Sequence, residues 1–260
     1  GFNGAIPAPI RRRLGSSLGI SEKAILKALI RDTGLSVIPG TKAVASVLEA
    51  KRVAAKIGYP VMLKACAGGG GRGIRLIRSE DELEDAYQQA TSEAIIAFGD
   101  GSVYLEKYIS PARHVELQIL ADEHGNAVCL GDRDCSLQRR NQKLLEETPS
   151  PAVNDAQRQK IIALAVDAVK KIGYVGAGTL EFLLDRDGSF WFMEMNVRLQ
   201  VEHCVTEMLT GFDLVKWQIR IAAGIPLSFT QKDVKMKGSA IECRINAGSC
   251  GTLKMLHVPG

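Results

Sequence analysis

FWFMEMNVRLQVEH, residues 190–203, alternates strictly between apolar and polar positions from Met193 to Val201. A period of two marks a β-strand with unlike faces. The polar members are Glu194, Asn196, Arg198, Gln200 and Glu202. A solvated edge strand produces the same period, but it does not require two acids, two amides and an arginine in one row. The segment is the second arm of GTLEFLLDRDGSFWFMEMN (178–196), which reads as a hairpin about an Asp-Gly turn. With a two- or four-residue loop, opposed residues have numbers summing to an odd total, and Glu181 shares a face with Glu194; a three-residue bulged loop separates them. On the even loop Glu181, Glu194 and Asn196 converge as hard oxygen ligands, suited to Mg²⁺ and poor for zinc. Without a cation, two facing acids repel.

Around this hairpin the chain alternates helices and strands. Helical spacing runs over 21–34, 46–60, 79–99, 154–173 and 206–224. Strand patterns fall at 60–65, 73–79, 103–109, 114–122, 127–136 and 239–248. The expected class is α+β, with a linker and helix over 1–35, a small glycine-loop lid over 36–108, and a larger mixed or antiparallel sheet domain over 109–260. Its 260 residues are 46% hydrophobic and 24% charged, an ordinary globular balance. Lys plus Arg number 33 against 29 acids, a net charge of +4 that suits anionic small molecules and is too weak to argue nucleic acid. The six cysteines form no CxxC pair, which points away from a zinc cage or disulfide framework and toward a reducing compartment. No apolar run reaches about 18 residues and no signal-peptide pattern is present, so neither membrane nor secretion is expected.

Three further stretches carry chemistry. In LKACAGGGGRGIRLI (63–77), Gly68, Gly70 and Gly73 satisfy GxGxxG, but a strand follows where a dinucleotide fold needs a helix. Ile74 and Arg75 also occupy the places a Walker A loop gives to Lys and Ser/Thr. What remains is a glycine hairpin whose N–H groups can cover phosphates, with Lys64 at its base, or a plain flexible turn. GDRDCSLQRRNQKLLEE (131–147) is dense in both charges and reads as strand leading into a solvated loop, or a patch for RNA, carrying Arg139, Arg140 and Lys143. Arg244, in the apolar context of ECRIN, needs an anionic partner if buried. His114, at a strand start, is by itself an ordinary structural histidine.

Taken in order, EKYISPARHVELQ, DRDCSLQRRNQK, GAGTLEF, EMNVRLQVEH, VTEMLTG and AIECRINA resemble the biotin carboxylase family from about Gly1 to Ala247. The resemblance implies an ATP-grasp fold and a ligase that uses ATP to activate bicarbonate as carboxyphosphate and carboxylate biotin. It places Lys23 and Lys64 on ATP phosphates, Gly70 and Gly71 in the closing loop, Glu106, Lys107, Tyr108 and Ile109 at adenine, and His114, Gln138 and Asn141 nearby. It implies Glu181, Glu194 and Asn196 as ligands of Mg²⁺ or Mn²⁺. Lys143, Arg198, Gln200 and Val201 match the bicarbonate site, Glu202 the base, and Arg244 the group meeting bicarbonate and the biotin ring.

The implied partners are a biotin carboxyl carrier protein or domain and a carboxyltransferase, as in acetyl-CoA carboxylase of fatty acid biosynthesis, with a homodimer in the full-length protein and no nucleic acid or membrane. The implied location is cytoplasmic, or an organelle matrix in a eukaryote. Asn141 stands where the family often has His, Val197 for Thr, Cys204 for Pro, and Gly248 opens a departure from an acidic run. Beginning at Gly1 and stopping at HVPG, the chain reads as a piece truncated at both ends. Two other readings stay open: another ATP-grasp ligase of the carbamoyl-phosphate synthetase type, and a nucleotide-binding fragment without turnover.

Overall fold

A computed structural model of the chain describes residues 29–67, 73–246 and 255. Lys23, Gly70, Gly71 and Gly248 lie outside the described residues, as does most of the helix expected over 21–34.

The first unit is a three-stranded antiparallel sheet of β1 (Val61–Ala65), β2 (Ile74–Ile77) and β3 (Val103–Lys107), in the order β2-β1-β3. Helices α1 (Val47–Ile57) and α2 (Leu83–Phe98) cover one face. α1 starts where Ser46 Oγ accepts from the Glu49 amide while the Glu49 carboxylate accepts from the Ala45 amide, which satisfies orphan donors of the first turn. Ala50, Ala54 and Ala90 let both helices approach Val61, Leu63, Ile77, Val103 and Leu105. Alternation along β1 then leaves Met62 and Lys64 on the uncovered face. α2 is shorter than expected, beginning at Leu83: Glu82 at its cap accepts instead from the Arg78 amide.

The second unit is a six-stranded sheet of β4 (Ala112–Ala121), β5 (Ala127–Arg139), β6 (Gln142–Thr148), β7 (Gly176–Asp185), β8 (Phe190–Asn196) and β9 (Ala240–Cys243), ordered β8-β7-β4-β5-β6-β9. Every strand pair in it is antiparallel. Among the described residues the one parallel contact is the isolated bridge of Val37 to Phe192. Helix α3 (Asp155–Ile172), opened by an Asn154/Gln157 capping box, lays Ile161, Ala165 and Val169 on Leu117, Ile119, Leu180 and Phe182. On the other face α4 (His203–Thr210) and α5 (Leu214–Ala222) replace the single helix expected over 206–224. Gly211 adopts φ 74°, which ends α4, and Asp213 caps α5. Among the described residues no helix is long and apolar enough to cross a membrane.

Residues 37–44 stitch the two sheets, bridging β8 at Val37 and β3 at Gly40 and Val44. Only glycine fits at 40, because a Cβ there would lie 2.7 Å from the Leu105 carbonyl oxygen.

Three expectations are corrected. Beyond the strand expected over 127–136 there is no long solvated loop: β5 continues to Arg139, turns at the exposed Arg140 and Asn141, and returns as β6. Both turn residues have φ near +60° (52° and 62°), the geometry of a two-residue type I′ hairpin. The alternating strand ends at Asn196, so Arg198, Gln200 and Glu202 follow in a bend and turn that deliver the chain into α4. The β7–β8 loop is odd, with Leu184 opposite Phe190 and the Asp185 amide donating to the Ser189 carbonyl around Arg186, Asp187 and Gly188 (φ 78°). By loop parity alone Glu181 and Glu194 would part. A bulge at Met193 inserts one residue and restores the odd sum, so Glu181 does oppose Glu194.

Candidate active site

The sheet register assembles a row of charges from four distant parts of the sequence. Arg133 on β5 opposes Glu116 on β4, Glu116 opposes Glu181 on β7, and Glu181 opposes Glu194 on β8. The neighbouring row is Gln118, Thr179 and Asn196. Directly opposed residues share a face and lie within a few ångströms.

Three of the row's members are carboxylates, and two cations hold Glu116 and Glu181, together with Glu202 from the turn before α4. Lys143 Nζ lies 2.5 Å from Glu116 Oε2, 2.6 Å from Glu202 Oε1 and 3.1 Å from Glu181 Oε1. Arg133, fully buried, donates from Nε to Glu116 Oε1 at 2.6 Å. Burial pulls the Lys143 ammonium down, but Glu116, Glu181 and Glu202 outweigh it and hold its pKa above the ordinary value. Burial likewise pushes the Glu181 carboxyl up, yet His114 and Lys143 hold it down at about 2. Glu116 also stays below the usual carboxylate range, since Arg133 and Lys143 overcome its burial. Buried charges persist here because each has an opposite charge and hydrogen bonds.

Arg244 finds the anionic partner its context requires, in fact two. Its Nε meets Glu146 Oε1 at 2.7 Å and its NH2 meets Glu202 Oε2 at 2.8 Å. Glu202, buried at the cap of α4, is therefore gripped by Lys143 on one oxygen and Arg244 on the other. Gln200, also buried, donates to Glu181 Oε1 at 2.8 Å, as does Asn196 at the same distance. Arg198 and Val201 are exposed, Arg198 donating only to the Leu199 carbonyl among the described contacts.

Between the two sheets lies a cleft of about 550 Å³, and every site candidate within the described residues borders it. On the small-sheet wall Lys64 Nζ pairs with Glu106 Oε2 at 2.7 Å, and Tyr108 and Ile109 continue the rim. The Lys107 ammonium is engaged by the carbonyls of Gly58 and Tyr59. On the large-sheet wall the Gln138 amide lies 3.0 Å from His114 Nδ1. A nitrogen that accepts carries no proton, so the ring proton sits on Nε2, 3.1 Å from Glu181 Oε2. Asn141 occupies the β5–β6 turn, a left-handed position that asparagine tolerates well.

The oxygen-only set Glu181, Glu194 and Asn196 fits a hard divalent cation: two opposed acids at the cleft, with an amide whose NH₂ group donates to Glu181 and whose oxygen is the ligand atom it can offer an ion. Two other groups lie close enough to share an ion among the described residues: His114 with Glu116 and Glu181, and Glu116 with Cys135 and Glu202. The Lys143 ammonium already neutralises the carboxylates of both, and burial pushes the Cys135 thiol pKa upward.

Sequence reasoning passed over Glu116, Arg133 and Glu146. Glu116 was findable, since His114, Glu116 and Gln118 repeat on β4 the polar alternation of the Glu194 segment. Arg133, flanked by Asp132 and Asp134, is an ordinary charge cluster until the register is known.

A small sheet closing on a larger antiparallel sheet over this cleft defines an ATP-grasp domain. Residues 22–230 match the family model described as carbamoyl-phosphate synthase L chain, ATP binding domain, and the chain belongs to that family. It is 51% identical over 250 residues to the 2-oxoglutarate carboxylase small subunit of Hydrogenobacter thermophilus, covering 93% of this chain and 53% of that one. It is 53% identical over 247 residues to a biotin carboxylase of a Nostoc species, covering 95% and 54%. A crystal structure of the biotin carboxylase domain dimer of the Hydrogenobacter thermophilus 2-oxoglutarate carboxylase, with MgADP, ADP and bicarbonate, matches with a TM-score of 0.85. That match has 53% sequence identity and covers 88% of this chain and 51% of that one. The chain thus spans about half the length of the curated relatives it matches.

Proposed function

We propose that this chain is the ATP-grasp core of a biotin carboxylase, which uses ATP and bicarbonate to carboxylate biotin on a carrier protein. The observation that carries the reading is Glu202, a buried carboxylate held between Lys143 at 2.6 Å and Arg244 at 2.8 Å, in the cleft that exposed Arg198 also lines. A base gripped by two cations, with a third lining the same cleft, is a site for an anion that must lose a proton.

Bicarbonate is a weak electrophile, and phosphorylation by ATP gives carboxyphosphate, whose breakdown supplies CO₂ and phosphate. Glu202 takes the bicarbonate proton while Arg198 and Lys143 hold the anion. Arg244 stabilises the biotin enolate after N1′ gives its proton to phosphate. Lys64, with Lys23, meets the ATP phosphates, while His114, Gln138, Asn141 and the main chain of 106–109 border the nucleotide. Glu181, Glu194 and Asn196 would hold Mg²⁺, which when bound spreads the charge of the phosphates.

A carrier and a carboxyltransferase complete the reaction in this reading, and the acceptor is chosen by the carboxyltransferase. Relatives named as 2-oxoglutarate and pyruvate carboxylase subunits support leaving the acceptor outside this cleft. The test is ADP release by the protein that carries this chain. Release is expected to require bicarbonate, to rise with biotin and to collapse in Arg198→Ala. Release driven by ammonia and indifferent to biotin would favour the carbamoyl-phosphate synthase chemistry for which the family model is named.

A further inference from the structure

Arg133 does not border the cleft, yet every donor it has is committed to a group that does or to the frame beneath it. Nε donates to Glu116 at 2.6 Å. NH1 donates to Gln118 Oε1 at 2.9 Å and Thr206 Oγ1 at 2.8 Å. NH2 donates to Gln200 Oε1 at 3.2 Å and Thr179 Oγ1 at 3.4 Å. A guanidinium has five N–H donors in a rigid fork and no acceptor. We infer that Arg133 is a positioning residue that fixes the Lys143 ammonium and the Gln200 amide for the bicarbonate step. The inference rests on the biotin carboxylase reading for the chemistry, though not for the geometry.

Arg133 reaches the cleft along two branches. Glu116 has two oxygens, and Arg133 occupies one, so the other is aimed at Lys143. Lys143 in turn holds Glu202. On the second branch, Gln200 must present its oxygen to Arg133, because its NH₂ group would face a donor. The NH₂ is thereby turned to Glu181, where it donates at 2.8 Å. The bond to Thr206 anchors α4, whose cap is Glu202. A lysine at 133 would keep the charge but supply three donors from one point, leaving at least two acceptors unserved and the amide sense of Gln200 unset.

The test compares Arg133→Lys with Arg158→Lys in the protein that carries this chain. Arg158 is a second buried arginine whose partners face away from the cleft. In Arg133→Lys, kcat/KM for bicarbonate is expected to fall about 100-fold, the scale of a reacting group misplaced by an ångström, with KM for ATP unchanged. In Arg158→Lys both constants should hold while the melting temperature drops. Thr206→Val, which removes one acceptor from the fork, should move the bicarbonate constant the same way by less, and it serves if Arg133→Lys does not fold. A crystal structure of whichever variant folds should show the Lys143 or Gln200 contacts displaced. Equal kinetic effects at 133 and 158, or unmoved Lys143 and Gln200 contacts, would overturn the inference. Absence of bicarbonate-dependent turnover in the unaltered protein would instead remove the functional reading, and the crystal structure alone would then decide the positioning.

Discussion

Arg133 and Arg158 are both buried, both paired to acids, and both belong to one stretch of physics around β5, yet they serve opposite faces of it. In the run Asp132, Arg133, Asp134 the strand period turns the two acids one way and the arginine the other. Asp132 accepts from Arg158 Nε at 2.6 Å and from the Ser150 amide at 2.9 Å, and Arg158 adds bonds to the Ser150 and Val153 carbonyls. That cluster ties the loop before α3 to the sheet and ends there. On the other face Arg133 passes its order through Glu116 and Gln200 to side chains in the cleft. Identical residue types thus hold a helix in place on one side and a site on the other, and the difference lies in what their partners touch.

The largest expected effect sits on the cleft face. Lys143→Met leaves Glu116, Glu181 and Glu202 without their shared cation, and should abolish turnover and cost about 5 kcal/mol, read from turnover assays and urea unfolding. Arg158→Met, on the helix face, should cost about 4 kcal/mol in the same unfolding measurement while leaving both Michaelis constants alone. If it changes them, the division between the faces is wrong.

A pH series tests the cleft face without removing its cation. The folded pKa of Glu181 is about 2 against an ordinary 4.5, so its contribution is present above about pH 4.5 and is lost as pH falls toward 2. The loss should reach about 3 kcal/mol, seen as unfolding midpoints that fall more steeply with acid in the unaltered chain than in Glu181→Gln. The smallest effect is at the turn closing β5, where Arg140 sits at φ 52°. Arg140→Gly should stabilise by about 1 kcal/mol in thermal melts, since glycine enters this region without the Cβ clash.

Much of this was legible before any coordinates, for reasons that can be named residue by residue. The strands either side of the glycine loop, the helix of 154–173 and the hairpin of 178–196 follow from period and capping, which act over a few residues. Arg244 needed an acid because an apolar strand cannot bury a lone cation, and Glu146 and Glu202 supply it. Glu106, Lys107, Tyr108, Ile109, Gln138, Asn141 and Lys143 do line one cleft with Glu194, Asn196, Arg198, Gln200, Val201 and Glu202, whereas Arg139 and Arg140 do not. The parity argument for Glu181 and Glu194 reached the right pairing by the wrong route: the loop is odd, and the Met193 bulge, which leaves no mark in the pattern, makes the correction. Reading the stretch beyond 136 as a solvated loop failed because Lys143 and Glu146 are satisfied by side chains across the sheet and not by water, while of its charged residues only Arg139 and Arg140 stay exposed.

The sequence by itself determined the local elements, the hard-oxygen character of the hairpin and the family resemblance, because each depends on residue type and short spacing. Only the tertiary structure decided that Arg133, Glu116, Glu181 and Glu194 form one row, and that Lys143 sits among three carboxylates. Strand order and register are set by packing over the whole sheet, and a single inserted residue turns every side chain beyond it to the other face.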